Sequence, residues 1–134
     1  MDVNHTFNPI DISISGLRAQ RKNMEIISSN VANARTTDTG KGEPYRRLET
    51  LFKADGDGIS PVNVDDIVQD MGDFQKLFDP GNPAADGQGY VTMPNVKLPI
   101  EMMNLTIATR AYQANAAILK RYQQMVETTL ELLR

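Results

Sequence analysis

The segment PIEMMNLTIATRAYQANAAILKRYQQMVETTLELLR, Pro99 to Arg134, decides the fold of this chain, because its apolar residues repeat at the spacing of a long amphipathic helix. One apolar row recurs every seven residues, and a second row stands one position before it. The two rows consist of Leu105, Tyr112, Leu119, Val126 and Leu133, and of Ala111, Ile118, Met125 and Leu132. Together they form a wide stripe, so we expect this helix to touch more than one neighbour.

A second long helix is predicted near the start of the chain. Asn8 suits the N-cap, Pro9 the first helical position and Asp11 the positive helix end. Gly16 lies inside this helix, where glycine costs about 1 kcal/mol relative to alanine. We expect either a close approach of another backbone at Gly16 or a frayed first turn. The apolar face of this helix consists of Ile10, Ile14, Leu17, Met24, Ile27, Val31 and Ala34.

Turn signals rich in glycine, proline and aspartate fill the chain between the two helices. The β-branched and aromatic residues between these turns predict short strands at 45–52, 59–68 and 90–93. We therefore expect a small β-rich, loop-rich module with long loops.

The predicted fold class is α+β. Residues 1–35 and 96–134 form long N- and C-terminal helices of a coiled-coil-like core, and residues 36–95 form the β-rich middle module. Because this module is small, we expect it to bury neither helix, so that the apolar faces pack on other copies or relatives of the chain. The alternative is a coiled coil of the two helices within one chain.

Composition excludes several classes of function. The net charge is −3, with acidic and basic residues interspersed, so we expect no nucleic-acid partner and no polybasic membrane patch. The chain has no cysteine, which excludes disulfides and thiolate chemistry. The opening Met1–Phe7 lacks the basic start and apolar run of a cleavable secretory signal, and no apolar run is long enough to predict a direct membrane span.

The residue types needed for catalysis are sparse. His5 is the single histidine, so we expect no histidine base and no multi-histidine metal site. Residues 55–58 resemble the start of a calcium loop, but Ile59 stands at the next ligand position, which favours a plain turn. The acidic stretch could supply paired carboxylates for glycoside hydrolysis, although a solvated surface is the simpler interpretation. Its members are Asp65, Asp66, Asp70 and Asp73. We predict no catalytic residue, no metal and no cofactor.

A set of motifs carries a resemblance to a known family. Ser28–Thr37, SSNVANARTT, preceded by Ser15–Gln20, SGLRAQ, is similar to the N-terminal signature of bacterial flagellar axial proteins of the rod and hook class. Four more motifs follow: Glu43–Arg47 (EPYRR), Asp79–Asp86 (DPGNPAAD), Gly89–Val96 (GYVTMPNV) and Thr109–Asn115 (TRAYQAN). In this order and spacing, nearly the whole chain resembles the proximal rod proteins of the flagellar basal body.

Three asparagines and a tyrosine in these motifs each have two alternative physical roles. Asn30 and Asn33 stand near the end of the first helix, where asparagine tolerates left-handed geometry and bonds the last carbonyls. They either cap the helix or pair across a subunit contact and set its register, with Asn115 as a counterpart. Tyr112 is either an interface anchor or ordinary core.

The resemblance implies a non-enzymatic subunit of the flagellar rod, which crosses the periplasm and transmits torque. Its partners would be other copies of itself, related rod proteins, and the flagellar type III export apparatus that delivers it without a cleavable signal. We expect the helices to order only on assembly. The expected assembly interface consists of Ile10, Ile14, Leu17, Met24, Ile27, Asn30, Val31, Asn33, Leu105, Tyr112, Asn115, Ile118, Leu119, Met125, Val126, Leu132 and Leu133. The alternative function is a free-standing coiled-coil homo-oligomer or adaptor.

Overall fold

Two long helices and two short β-hairpins make up the fold. The structure, a computed structural model, describes residues 8–54, 56 and 58–134. In chain order the elements are α1 (Pro9–Ala32), β1 (Leu48–Ala54), β2 (Val62–Gln69), β3 (Gln75–Phe78), β4 (Tyr90–Met93) and α2 (Leu98–Leu132). The predicted α+β class is confirmed. His5, Asp55 and Asp57, which entered the metal-site predictions, lie outside the described residues.

The ends of α1 are set by asparagines. Asn8 accepts the N–H of Ile10 at 3.2 Å and Pro9 occupies the first turn, as predicted. At the other end Asn33 is the C-cap, and its backbone N–H and side-chain amide both donate to Ser29 O, at 3.0 and 2.9 Å. The predicted cap at Asn33 is therefore confirmed. Its left-handed geometry is not, because φ is −98°.

The second helix begins at Leu98, inside the predicted segment 96–134, and Pro99 lies in its first turn. Lys97 is the N-cap and makes no side-chain cap bond. Glu101 lies near the positive helix end and is fully buried. With 35 residues α2 is about 52 Å long, against about 36 Å for the 24 residues of α1.

The two helices pack antiparallel. Asn30 contacts Glu101, Met24 lies 3.6 Å from the Thr109 hydroxyl, and Gly16 contacts Asn115, so positions rise along α2 as they fall along α1. The last turns of α2 extend beyond the contact with α1. Their apolar side chains are largely exposed, with Leu132 at 83% and Leu133 at 80%.

The strands form two separate antiparallel hairpins. In the first, Leu48 of β1 pairs with Gln69 of β2, and the register shifts between Leu51 and Phe52. In the second, Gln75 to Phe78 of β3 pair with Met93 to Tyr90 of β4. The sequence prediction missed β3, because its four residues lack β-branched side chains and alternation.

The first hairpin packs against α1, so the prediction that the middle module buries neither helix is wrong for α1. Small residues on this face of α1 allow the strands to approach closely, and Ser15 Oγ accepts the N–H of Val62 at 3.0 Å. The buried residues of α1 are Ser13, Ser15, Ala19, Ile26, Ile27 and Asn30. Of the predicted apolar face only Ile27 is among them, and Ile10, Ile14, Leu17, Met24, Val31 and Ala34 are only half-buried.

In the part of the chain that the structure describes, neither helix is apolar enough over a sufficient length to cross a lipid bilayer.

Candidate assembly surface

A buried polar cluster at one end of the helix pair joins α1, β1 and α2. Asn30 is completely buried, and its side chain accepts the N–H of Leu48 at 2.9 Å and donates to Leu48 O at 2.9 Å. The same side chain donates to Glu101 Oε2 at 3.1 Å and accepts the hydroxyl of Tyr45 at 3.0 Å. The predicted role of Asn30 as a cap of α1 is therefore wrong. All of these bonds lie within one chain.

An ion pair completes the cluster. Arg47 Nε donates to Glu101 Oε1 at 2.6 Å, and the Glu101 side chain is only 1% exposed. Arg47 also contacts Glu49 and lies 3.5 Å from Asp70. Burial alone lowers the pKa of Arg47, but its hydrogen bonds to Glu101 and Glu49 outweigh burial, so the pKa lies above its usual range. The buried carboxylate of Glu101 is therefore matched by a cation that stays charged.

The base of the second hairpin is tied to this cluster by hydrogen bonds between the side chains of Arg46 and Asn95 and main-chain groups. Asn95 accepts the N–H of Arg47 at 2.8 Å and donates to Asp70 O at 2.9 Å. Arg46 bonds the carbonyls of Asp70 and Gly72, both at 3.2 Å, and its guanidinium lies 4.2 Å from the centre of the Phe74 ring. These contacts fix where the second hairpin leaves the helix pair.

Close approach of the helices is visible at Gly16. A Cβ placed there would lie 2.6 Å from Asn115 Nδ2, which is closer than packed atoms allow. The expectation that another backbone approaches Gly16 is wrong, because the close neighbour is the Asn115 side chain of the same chain. Asn115 is half-buried in this contact.

A shallow apolar groove lies between the N-terminal half of α1 and the C-terminal half of α2. Its volume is about 810 Å³. Its apolar lining comes from Ile10, Ile14 and Leu17 on α1, and from Ala116, Leu119, Tyr122 and Val126 on α2. The predicted residues of both stripes therefore come together here, with their faces left open to the outside.

The rest of the C-terminal stripe is exposed. Ile118 is 50% exposed and Met125 57%, and Leu130 near the helix end reaches 62%. We call this surface, from Ile118 to Leu133 together with the groove, the α2 face.

The predicted interface residues fall into three groups. Ile118, Met125, Val126, Leu132 and Leu133 are exposed on α2. Met24, Val31, Asn33, Leu105, Tyr112, Asn115 and the groove residues Ile10, Ile14, Leu17 and Leu119 are half-buried. Ile27 and Asn30 are buried inside the chain, where the first hairpin and Glu101 cover them.

Sequence reasoning missed two sets of residues. The first set is Arg47 and Glu101, which were not predicted to pair. The one signal in the sequence is that Glu101 is a single carboxylate in an otherwise apolar helix start, where a buried carboxylate needs a cation. The second set is apolar, exposed and on the N-terminal half of α2, outside the sevenfold rows. It consists of Met102, Met103 and Ile107.

Comparison with known proteins gives consistent matches. The family described as "Flagella basal body rod protein" matches residues 10–38, and the family described as "Flagellar basal body rod FlgEFG protein C-terminal" matches residues 88–132. The chain is 42% identical over 127 residues to flagellar basal-body rod protein FlgC of Agrobacterium fabrum, covering 92% of this chain and 91% of the relative.

Two further relatives carry the same name. FlgC of Salmonella typhimurium is 38% identical over 128 residues, covering 93% of this chain and 96% of the relative. FlgC of Bacillus subtilis is 34% identical over 145 residues, covering 94% and 97%. The similarity thus includes both helices and both hairpins.

Proposed function

This chain belongs to the FlgC family of flagellar basal-body rod proteins, and from that premise we propose that its α2 face joins it to other copies of itself and to related rod proteins. The chain is a structural subunit of the rod in the flagellar basal body. We propose that it has no enzymatic activity, and that α1 and α2 form its part of the axial core while residues 36–95 face outward.

The observation that carries this proposal is the exposure of apolar side chains along α2. Leu130, Leu132 and Leu133 are each more than 60% exposed, although leucines at such spacing normally lie against a neighbour. Each square ångström of apolar surface that a neighbouring subunit covers contributes about 25 cal/mol. Docking along a helix about 52 Å long would therefore supply a large contact area from weak individual contacts.

The geometry of such contacts suits a rod. If the α2 face docks on a different surface of the next subunit, the contact is head-to-tail, and head-to-tail contacts that do not close produce a helical tube. Torque on this tube is shared among many apolar contacts side by side, so that no single contact bears the load.

We further propose that the chain leaves the cytoplasm through the flagellar export apparatus and takes its place where the rod crosses the periplasm. A long helix with an uncovered apolar face is marginally stable alone. A chain whose α2 end orders only when neighbours cover it is suited to export before folding.

The proposal is tested by replacing Leu130, Leu132 and Leu133 together with serine in a cell that lacks the wild-type gene. These side chains are exposed in the single chain, so we expect unfolding of the purified protein to change little while the isolated basal bodies have an interrupted rod. The matched control is Ile59→Ser, which removes an 87% exposed apolar side chain from the tip of the first hairpin. Normal rods and motility with the triple variant would show that the α2 face does not carry assembly.

A further inference from the structure

A groove runs between the open edge of β1 and α2. Its volume is about 410 Å³, and its floor is α1, at Gln20, Asn23 and Ile27. The walls are Leu48, Thr50 and Phe52 on β1, and Asn104, Ile107 and Ala108 on α2. Among the described residues β1 pairs only with β2, and α2 does not pack against β1. One edge of β1 therefore faces a space that is not filled by another element of this chain.

The main chain of β1 is already paired at one end of this edge. The carboxamide of Asn30 bonds both the N–H and the C=O of Leu48, as a residue of a neighbouring strand would. The carbonyl of Arg47 points the other way and accepts the N–H of Asp70, which follows β2, at 2.8 Å. Since alternate residues of a strand face the same edge, Thr50 presents its N–H and C=O to the groove beside Asn30.

The chemistry of the lining fits a polypeptide backbone. Gln20, Asn23 and Asn104 carry uncharged amides that make no hydrogen bond to any residue the structure describes, and an amide can both donate and accept. Phe52 is 44% exposed and Ile107 59% exposed, so both can cover apolar side chains. Arg47, the cation of this groove, is engaged by carboxylates, which disfavours an anionic ligand.

The second hairpin has the matching properties. All four residues of β3 are exposed, whereas Val91 of β4 is buried, so one side of the second hairpin is covered within the chain and β3 lies on the outside. Phe78, 62% exposed, and Tyr90 form an edge-to-face pair with ring centres 5.2 Å apart. Among the described residues β3 pairs only with β4, and its open edge favours pairing with another strand.

We propose that β3 of a second copy adds to the open edge of β1 as a third strand, seated in the groove between β1 and α2. This inference rests on the proposed role of the chain as a self-assembling subunit. The four residues of β3 match the stretch from Thr50 to Lys53 in length. Each copy then offers one groove and one hairpin with an open edge, so a head-to-tail arrangement extends from copy to copy.

Hydrogen-bond direction favours an antiparallel alignment. The N–H of Asp79 donates to Gly89 O across the second hairpin, so the preceding residue, Phe78, directs its N–H and C=O to the open edge of β3. With Thr50 beside Phe78 of the second copy, the free main-chain groups of both residues face each other and Leu51 lies beside Leu77. This alignment also places Glu49 beside Asp79, which sets like charges together at that end.

Cysteine cross-linking tests the contact, because the chain contains no cysteine of its own. Leu51 and Leu77 are opposite in this alignment and both exposed, so a tagged Leu51→Cys chain is mixed with an untagged Leu77→Cys chain and oxidised. We expect a mixed disulfide-linked pair in about tenfold excess over the control, because pairing raises the local thiol concentration. The control pairs Leu77→Cys with Asn63→Cys, an exposed position on β2.

A second variant removes a main-chain hydrogen bond of the proposed contact, and its measurement needs no cross-link. Thr50→Pro deletes an N–H that faces the groove and not β2, so the first hairpin is retained. We expect self-association measured by sedimentation to weaken about tenfold, with an unchanged circular dichroism spectrum. If this variant does not fold, the cross-linking result decides.

Four results overturn the inference. Equal linking in the Asn63→Cys control shows random collision, and linking within a single dilute Leu51→Cys, Leu77→Cys double variant shows that the hairpin reaches its own groove. A wild-type chain that associates while the Leu51 and Leu77 positions stay unlinked overturns this inference and leaves assembly through the α2 face standing. A chain that remains monomeric overturns it together with the proposed self-assembly.

Discussion

At the scale of single residues, Asn30 decides how the parts of the chain are joined. One carboxamide bonds a strand, a tyrosine and a buried carboxylate, and these groups come from two segments far from Asn30 in sequence, residues 45–48 and Glu101. A buried polar network of this kind stabilises the fold only when every member is paired. Removing its centre leaves several buried groups without partners.

Asn30→Ala is therefore expected to lower the free energy of unfolding by about 3 kcal/mol. The measurement is urea unfolding of the purified chain followed by circular dichroism. Asn23→Ala is the matched control on the same helix, because Asn23 makes no hydrogen bond to the described residues, and we expect a change within about 0.5 kcal/mol. Equal losses for the two variants would contradict the role assigned to Asn30.

Asp86 gives a prediction about pH. Hydrogen bonds from the backbone N–H groups of Tyr90 and Gln88 lower its pKa below the ordinary value of 3.8. Because the folded pKa is the lower one, the stabilisation is present above the unfolded pKa and is lost as the pH falls through the folded pKa. We expect Asp86→Asn to loosen the turn before β4 at neutral pH and to match the wild type once Asp86 is protonated, as followed by the Tyr90 amide signal in NMR spectra. A difference that persists in acid would contradict this.

At the scale of elements, the close contact between α1 and α2 depends on Gly16. Glycine is a poor helix former, so its presence in the middle of a helix is explained by the Asn115 side chain lying against it. The contact joins residues 99 positions apart in the sequence, 115 less 16, which is why the sequence predicted a close approach but not the neighbour.

A double-mutant cycle tests this contact. In an Asn115→Ala background we expect Gly16→Ala to stabilise the chain by about 1 kcal/mol, because alanine favours helix and the clash is gone. In the wild-type background the new Cβ meets Asn115 Nδ2, so we expect the gain to disappear or reverse. The measurement is urea unfolding of all four chains. Additive effects would show that the two residues do not interact.

Elements with local signals could be predicted from the sequence, and those that depend on distant partners could not. Asn8 and Pro9 mark the start of α1 by themselves, and the sevenfold rows mark α2. By contrast β3 exists through its pairing with β4, and the burial of Glu101 depends on Arg47. The apolar face of α1 was predicted correctly as a pattern, but the hairpin packs on its small residues instead.

At the scale of the whole molecule, stability is uneven along the helix pair. Near Asn30 the helices are covered by β1 and by the ion pair of Arg47, whereas the last turns of α2 carry exposed leucines. Exposure of Leu130 to Leu133 in the single chain is what the proposed assembly role of the α2 face rests on.

We expect hydrogen exchange to report this difference. In a dilute, confirmed monomer the amides of α2 after Glu127 should exchange rapidly and those around Asn30 slowly, because few contacts protect the former. In assembled rods both regions should be protected. Uniform protection of α2 in the monomer would contradict the proposal that this end orders on assembly.

The polar cluster fastens the two helices at one end only, near Asn30 and Glu101. Towards the other end the helices meet through an open apolar groove, with no ion pair between them among the described residues. At the groove end the helix pair relies on the Gly16–Asn115 contact and on the apolar lining, whereas the Asn30 end is held by hydrogen bonds and an ion pair. A partner that covers the groove would therefore secure the end of the pair that the chain itself fastens least.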